Sequence, residues 1–226
     1  MATGEFKQAG LSRREREKLK RRNDIIDAAQ KRFFERGFDG VSMDDIAHDL
    51  ELSKPAIYRY FKNKESLYYA VVLRGMVILR DTIREAVEIE KTGRDKAVGY
   101  IESLCFDYVS KHQDYYRLLI VAREQRFIDM FLRHEIDGAH EFGMMALELL
   151  TFLVDAIKLG IKDGTLREDL DPLQTAIFLV VTAEATLNLT PEYQNLMAQR
   201  GIRKDEYLQR SIDLMLHGIA SNKQKS

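Results

Sequence analysis

The chain has little of what most enzymes and exported proteins are built on. It holds one cysteine, Cys105, in 226 residues, which leaves no intramolecular disulfide framework and fits a reducing compartment. Its three prolines, Pro55, Pro172 and Pro191, each fall at the expected start of a helix, where a missing N–H costs nothing. There is no phosphate-cradling glycine loop, no serine elbow, no Glu-x-x-His pair and no nucleophile with an evident base, so an enzyme finds no support. The longest apolar run, Ala176 to Val181, is far too short to span a bilayer. No apolar stretch follows Met1, so neither a signal peptide nor a membrane anchor is expected. A net charge of −1 is unlike that of an indiscriminate nucleic-acid binder. A soluble, cytoplasmic protein without a cofactor is the expectation. His134, Glu135, Asp137, His140 and Glu141 cluster in sequence, but the two histidines are six residues apart and do not share a helical face, so no metal is expected.

What remains is helix. A hydrophobic content of 45% supports a substantial core, and apolar residues recur at helical periods with no strand-like alternation. Val72, Met76, Leu79, Ile83 and Val87 mark a long helix from Asn63 to about Glu90. Further helices are expected at Arg94 to Lys111, Asp114 to Gln125, Asp137 to Lys162, Pro172 to Asn188, Pro191 to Arg200 and Lys204 to Ala220. Gly93, Gly164 and Gly201 follow helical runs, while Asp171-Pro172 and Thr190-Pro191 each pair a cap with a first-turn proline.

The most informative stretch is Ser42 to Leu67, SMDDIAHDLELSKPAIYRYFKNKESL. Ser42 with Asp45 forms a capping-box arrangement ahead of a short helix whose Met43, Ile46, Ala47 and Leu50 face inward. Ser53 can cap a second short helix, in which Ile57 and Phe61 make an i, i+4 apolar pair. Lys54, Pro55, Ala56, Tyr58, Arg59 and Tyr60 then face outward. That set offers cations, phenols and a small apolar contact to a DNA groove. Two short helices joined by a tight turn place the second in the major groove. Taken singly, the tyrosines could be half-buried aromatics, and Lys54, Arg59, Lys62 and Lys64 a solvated face.

Asp-Ile-Ala, then Leu-Ser, then AIYRYFKNKESL resembles the N-terminal domain of the TetR family of one-component transcriptional regulators. The likeness runs from about Arg22 to Leu73 and includes Phe33 and Gly37. It implies an all-α fold: a three-helix DNA-binding domain with a helix-turn-helix, then a helical ligand-binding and dimerisation domain. It also implies that Lys54, Pro55, Ala56, Tyr58 and Tyr60 sit on the recognition helix, with Lys54 and Ala56 near bases and the tyrosines on phosphates. Lys64 would touch a phosphate from the first turn of the next helix, beside amides that attract anions. Ser42 and Arg59 complete the DNA-facing set. The family usually has glycine where this chain has Glu51, and a non-glycine residue in a left-handed turn costs on the order of 1 kcal/mol. Asp44, Asp45 and Asp49 add charge that opposes phosphate approach.

Upstream, Arg13, Arg14, Arg16, Lys18, Lys20, Arg21 and Arg22 form a basic arm interrupted only by Glu15 and Glu17 among charged residues. Residues 1–65 carry 15 Lys and Arg against 12 Asp and Glu, and residues 66–226 carry 20 against 24. A disordered arm that orders along a groove fits this pattern, as does a solubilising tail. The expected divisions are 1–18 for the arm, 19–66 for DNA binding, 67–220 for effector binding and dimerisation, and 221–226 for a tail.

In the second half, DGTLREDLDP, Asp163 to Pro172, resembles the turn before the penultimate major helix of TetR-like C-terminal domains. The Pro172 helix is apolar nearly all round. Ile177, Val180 and Val181 from it, with Leu208, Ile212, Met215 and Ile219 from the last helix, are the expected four-helix dimer interface, unless both stripes close the chain's own core. The resemblance also implies an effector pocket, and Cys105, Phe106, Tyr116, Phe127, Met130, Phe131, Met144 and Met145 are its candidates, although such residues are more often core. The reading is a homodimeric repressor of a palindromic duplex operator, released by a hydrophobic or amphipathic small molecule. An activator or ligand-independent regulator is the alternative, ahead of a helical enzyme or scaffold.

Overall fold

The structure, a computed structural model, describes residues 12–221 and is helical throughout, with one isolated antiparallel bridge between Leu166 and Ala220. Among the described residues the helices are α1 (Arg13–Arg36), α2 (Met43–Asp49), α3 (Lys54–Tyr58), α4 (Lys64–Glu88), α5 (Gly93–Glu102), α6 (Val109–Lys111), α7 (Gln113–Val121), α8 (Gln125–Leu132), α9 (Ala139–Asp163), α10 (Pro172–Leu187), α11 (Pro191–Gln199) and α12 (Lys204–Ile219). Between α5 and α6 the chain makes a π-helical segment, Ser103–Tyr108, where the periodicity predicts an ordinary helix through Lys111. Helix α8 fell within no expected helix. No single helix among the described residues is long and apolar enough to cross a membrane.

Two compact units divide the chain: Met1–Met76 with Asp114–Phe142, and Val77–Gln113 with Gly143–Ser226. The first is larger than the expected 19–66, for a visible reason. Phe33, Phe38, Tyr68 and Phe127 stack edge and face with centroids 5.0–6.3 Å apart, geometry that adds to the burial gain of each ring. Tyr68 and Tyr69 are buried, and their hydroxyls donate to Leu118 O and Ala122 O at 2.8 and 2.9 Å. Burial pushes the Tyr69 phenol up to about 12. Residues 114–142 therefore complete the core beneath the helix-turn-helix.

The basic segment is not an arm within the described residues. It is about the first three turns of α1, begun by a capping box in which Ser12 Oγ accepts from Glu15 N and the Glu15 carboxylate accepts from Ser12 N. Residues 1–11 and 222–226, the rest of the expected arm and nearly all of the tail, lie outside the described residues.

In the second unit, Gly93 opens α5 instead of closing the helix before it. A Cβ there would lie 1.9 Å from Gly160 N, so α5 and α9 cross with backbone against backbone. Thr92 caps α5 by accepting from Asp95 N, and Asp163 Oδ2 accepts from Gly93 N at 2.8 Å. Asp171 caps α10 through Gln174 N, as expected, whereas Thr190 makes no such bond to α11.

Candidate nucleic-acid interface

The helix-turn-helix is assembled from local bonds that the sequence specifies. Ser42 Oγ accepts from Asp45 N at 3.1 Å while Asp45 Oδ2 accepts from Ser42 N at 2.8 Å, closing the capping box of α2. Hydrogen bonding from Ser42 lowers the Asp45 carboxyl below its ordinary value. Met43, Ile46 and Ala47 are buried, and Leu50 lies half-buried at the helix end. The turn follows through Glu51 at φ 52°, the left-handed conformation expected at this position. Leu52 N donates to Ala47 O at 2.9 Å and holds the turn shut. Ser53 occupies the N-cap position of α3 but makes no side-chain capping bond, unlike the expectation. Ile57, fully buried, and Phe61, at 2% exposure, anchor the segment, and the Arg22 guanidinium lies 4.8 Å from the Phe61 ring centroid. Asn63 Oδ1 caps α4 by accepting from Ser66 N at 2.8 Å.

Anchored in this way, α3 presents Lys54, Pro55 and Tyr58 to solvent, with Ala56 half-buried. Arg59 and Tyr60 follow the five-residue helix instead of lying on it. Lys54 Nζ lies 2.9 Å from Asp44 Oδ2, and this bond raises the lysine above its ordinary value.

Lys64, the expected phosphate contact, is engaged within the protein. Its ammonium donates to Phe38 O and Val41 O at 2.9 and 3.0 Å and sits 3.9 Å from the Phe38 ring centroid. The cation thus closes the loop between α1 and α2 from inside.

The three aspartates of α2, which oppose phosphate approach on charge alone, are each engaged. Asp44 faces Lys54, Asp45 serves the cap, and Asp49 takes a two-pronged pair from Arg32 with bonds of 2.6 and 2.5 Å. That fork holds the Asp49 carboxyl below its ordinary range. Arg32 lies 17 residues from its partner, and no local pattern pointed to it. A second long-range fork, Arg126 to Asp39 at 2.8 and 3.1 Å, ties α8 to the same α1–α2 loop.

A family model described as bacterial regulatory proteins, tetR family, matches residues 25–71, the core of this module. The transcriptional activator FasR of Mycolicibacterium smegmatis is 29% identical over 175 residues, covering 69% of this chain and 80% of that protein. The chain carries the DNA-binding domain of the TetR family. Its helix-turn-helix is the DNA-binding element of a transcriptional regulator, and the homologues and fold are those of regulators and not of enzymes. Among solved structures, a regulator from Saccharomonospora viridis in complex with choline is 18% identical with a TM-score of 0.65, covering 90% of this chain and 100% of that one. FadR from Bacillus subtilis in complex with stearoyl-CoA is 21% identical with a TM-score of 0.63, covering 87% and 98%. At these identities the likeness is one of fold.

The eight candidate pocket residues are divided between the two units. Tyr116, Phe127, Met130 and Phe131 belong to the first unit, where Phe127 is closed into the aromatic core. Cys105, Phe106, Met144 and Met145 belong to the second, with Met144 55% exposed on α9. Cys105 and Phe106 share a cleft of about 410 Å³ with Val109, Leu187, Leu208, Arg203, Lys204 and Asp205 among its lining. Burial pushes the Cys105 thiol up to about 12, so it packs as a small apolar group and is no thiolate at neutral pH.

The expected dimer stripe also divides. Leu208, Ile212, Met215 and Ile219 are buried within the chain's own core, so α12 spends that face internally. Ile177 and Val181 are exposed and Val180 is half-buried. With Leu173 and Phe178 beside them and Leu214 at 76% exposure on α12, these α10 residues make up an uncovered apolar face.

Proposed function

We propose that this TetR-family protein is a homodimeric, effector-released repressor. The observation that carries the reading is the α3 surface: an outward set of Lys54, Ala56 and Tyr58 on a helix anchored by Ile57, beside an α2 whose carboxylates are all engaged. Two such helices about 34 Å apart read adjacent major grooves of a palindromic operator and exclude transcription. The uncovered α10 face of Leu173, Ile177, Phe178 and Val181 supports dimerisation, because monomeric proteins rarely leave a contiguous apolar patch of this kind exposed. The cleft at Cys105 and Phe106 is lined by Val109, Leu187 and Leu208 and bordered by Arg203, Lys204 and Asp205; with Arg203 and Asp205 paired to each other, Lys204 is left to suit a small amphipathic effector with an acidic end. The long acyl chain and acidic headgroup of the FadR ligand make that chemistry a reasonable first choice. Effector binding can shift the DNA-binding state only by its differential affinity for the two states. The protein acts in the cytoplasm and carries no enzymatic activity in this reading.

A second reading, transcriptional activation, draws on the printed role of FasR. Transcription in vitro from a promoter bearing the selected operator separates the two. Less transcript on addition of the protein supports repression, and more transcript supports activation.

A further inference from the structure

Basic residues of α1 come together with the end of the recognition segment. Arg14, Lys18, Lys20 and Arg21 from α1, with Arg59 and Tyr60 from just beyond α3, line one cleft of about 760 Å³. Glu17 and Asp24 are its two carboxylates, and Glu17 is held by Arg13 at 2.9 Å. Five cations against two carboxylates leave an excess of positive charge in one concavity. Among the described residues none of the five lies within 4.0 Å of a carboxylate oxygen as an ion pair. Clefts of one sign focus the field and draw in counter-charge, so an anion there relieves repulsion that a scattered solvated face would not contain.

We infer that this cleft binds the phosphodiester backbone of duplex DNA flanking the base pairs read by α3, lengthening the footprint beyond the helix-turn-helix. The inference rests on the DNA-binding reading of α3. Arg14, Lys18 and Arg21 follow i, i+4, i+7 spacing on one helical face, and they span about 10 Å along the helix axis. That is about three steps of a strand's axial rise at roughly 3.4 Å each. Arg59 and Tyr60 make the cleft continuous with the recognition helix, so a strand leaving the α3 groove has its next phosphates there. Tyr60 supplies a neutral O–H donor for a phosphate oxygen. The capping box at Ser12 and Glu15 keeps the cations on a preformed helix, so binding adds no backbone ordering cost beyond that of the side chains.

The test uses the full chain and an operator duplex recovered by selecting genomic fragments with it. One version is trimmed to the base pairs protected in the two half-sites, and another is extended by about six base pairs on each side, about twice the span of the α1 cations. The variant Arg14→Ala/Lys18→Ala/Arg21→Ala changes only exposed side chains, and its helicity is checked first. Wild type binds the extended duplex more tightly than the trimmed one. The variant loses that advantage, and its slope of log K against log salt on the extended duplex falls by about 2 to 3 in magnitude. On the trimmed duplex the variant matches wild type, and base preference is unchanged. The conservative variant Arg14→Lys/Arg21→Lys keeps most of the slope. An equal loss on both duplexes, an altered base preference, or no loss at all would overturn the inference while leaving the α3 reading intact. A wild-type chain that selects no sequence would instead remove the α3 reading, and this inference with it.

Discussion

Glu51 holds φ 52° in the turn between α2 and α3, a conformation that costs a side-chain-bearing residue about 1 kcal/mol or more. Glycine removes that cost but loses more backbone entropy on folding, about 0.5–1 kcal/mol. Glu51→Gly is therefore expected to stabilise the protein by no more than about 0.5 kcal/mol, whereas Glu51→Val, branched at Cβ, destabilises it by at least about 1 kcal/mol. Thermal unfolding of both variants checks the pair. Asp49 gives a pH signature. Its carboxyl is lowered by the Arg32 fork, so the stability from that pair is complete above the ordinary value of 3.8 and is lost as pH falls through the lowered one. The gap in urea-unfolding free energy between wild type and Asp49→Asn is thus widest near neutrality and closes below pH 3.8. A gap that stayed constant with pH would contradict the pairing. Asp44 gives a third expectation. Asp44→Asn frees Lys54 from its 2.9 Å partner and removes a repelling charge, so affinity for operator DNA rises roughly twofold to fivefold in anisotropy titrations.

At the scale of the element, much was legible because its causes are local. The Ser42–Asp45 capping box and the Ile57–Phe61 anchor depend on residues within four positions of one another, and each stands in the structure as the spacing predicts. What escaped depends on distance along the chain. Arg32 meets Asp49 across 17 residues and Arg126 meets Asp39 across 87, so neither fork has a sequence signature. Lys64 was placed correctly on α4, but Phe38 O and Val41 O capture its ammonium, and that competition is invisible without the loop's path. The helical state of the basic segment was written in Ser12 and Glu15, yet the run of charge outweighed the capping signal. Gly93 has the sequence position of a stop signal, yet its use is close approach. Gly93→Ala would set a Cβ 1.9 Å from Gly160 N, a backbone atom that cannot rotate away. A destabilisation of about 1–3 kcal/mol or more is expected, read as a lower denaturant midpoint with helical content retained at zero denaturant.

For the whole molecule, the difficulty is that one apolar stripe can serve either a core or a partner. Helix α12 keeps Leu208, Ile212, Met215 and Ile219 for itself, and α10 leaves Leu173, Ile177, Phe178 and Val181 uncovered. Hydrophobic period identified both helices without saying which face was which. The two faces now predict opposite behaviour. Val181→Glu is expected to yield a folded monomer that binds the operator far more weakly, whereas Ile212→Asp, at a fully buried site, is expected to unfold the chain. Analytical ultracentrifugation alongside circular dichroism distinguishes the two. The central claim, a dimeric regulator whose α3 helices read a two-fold operator, is tested most directly by equilibrium binding of the full chain to its genomically selected duplex, with stoichiometry read across a salt series. The account predicts two chains per duplex, half-sites about one helical turn apart, and affinity that falls steeply as salt rises. Binding without sequence preference, or one chain occupying a single half-site at full affinity, would contradict it.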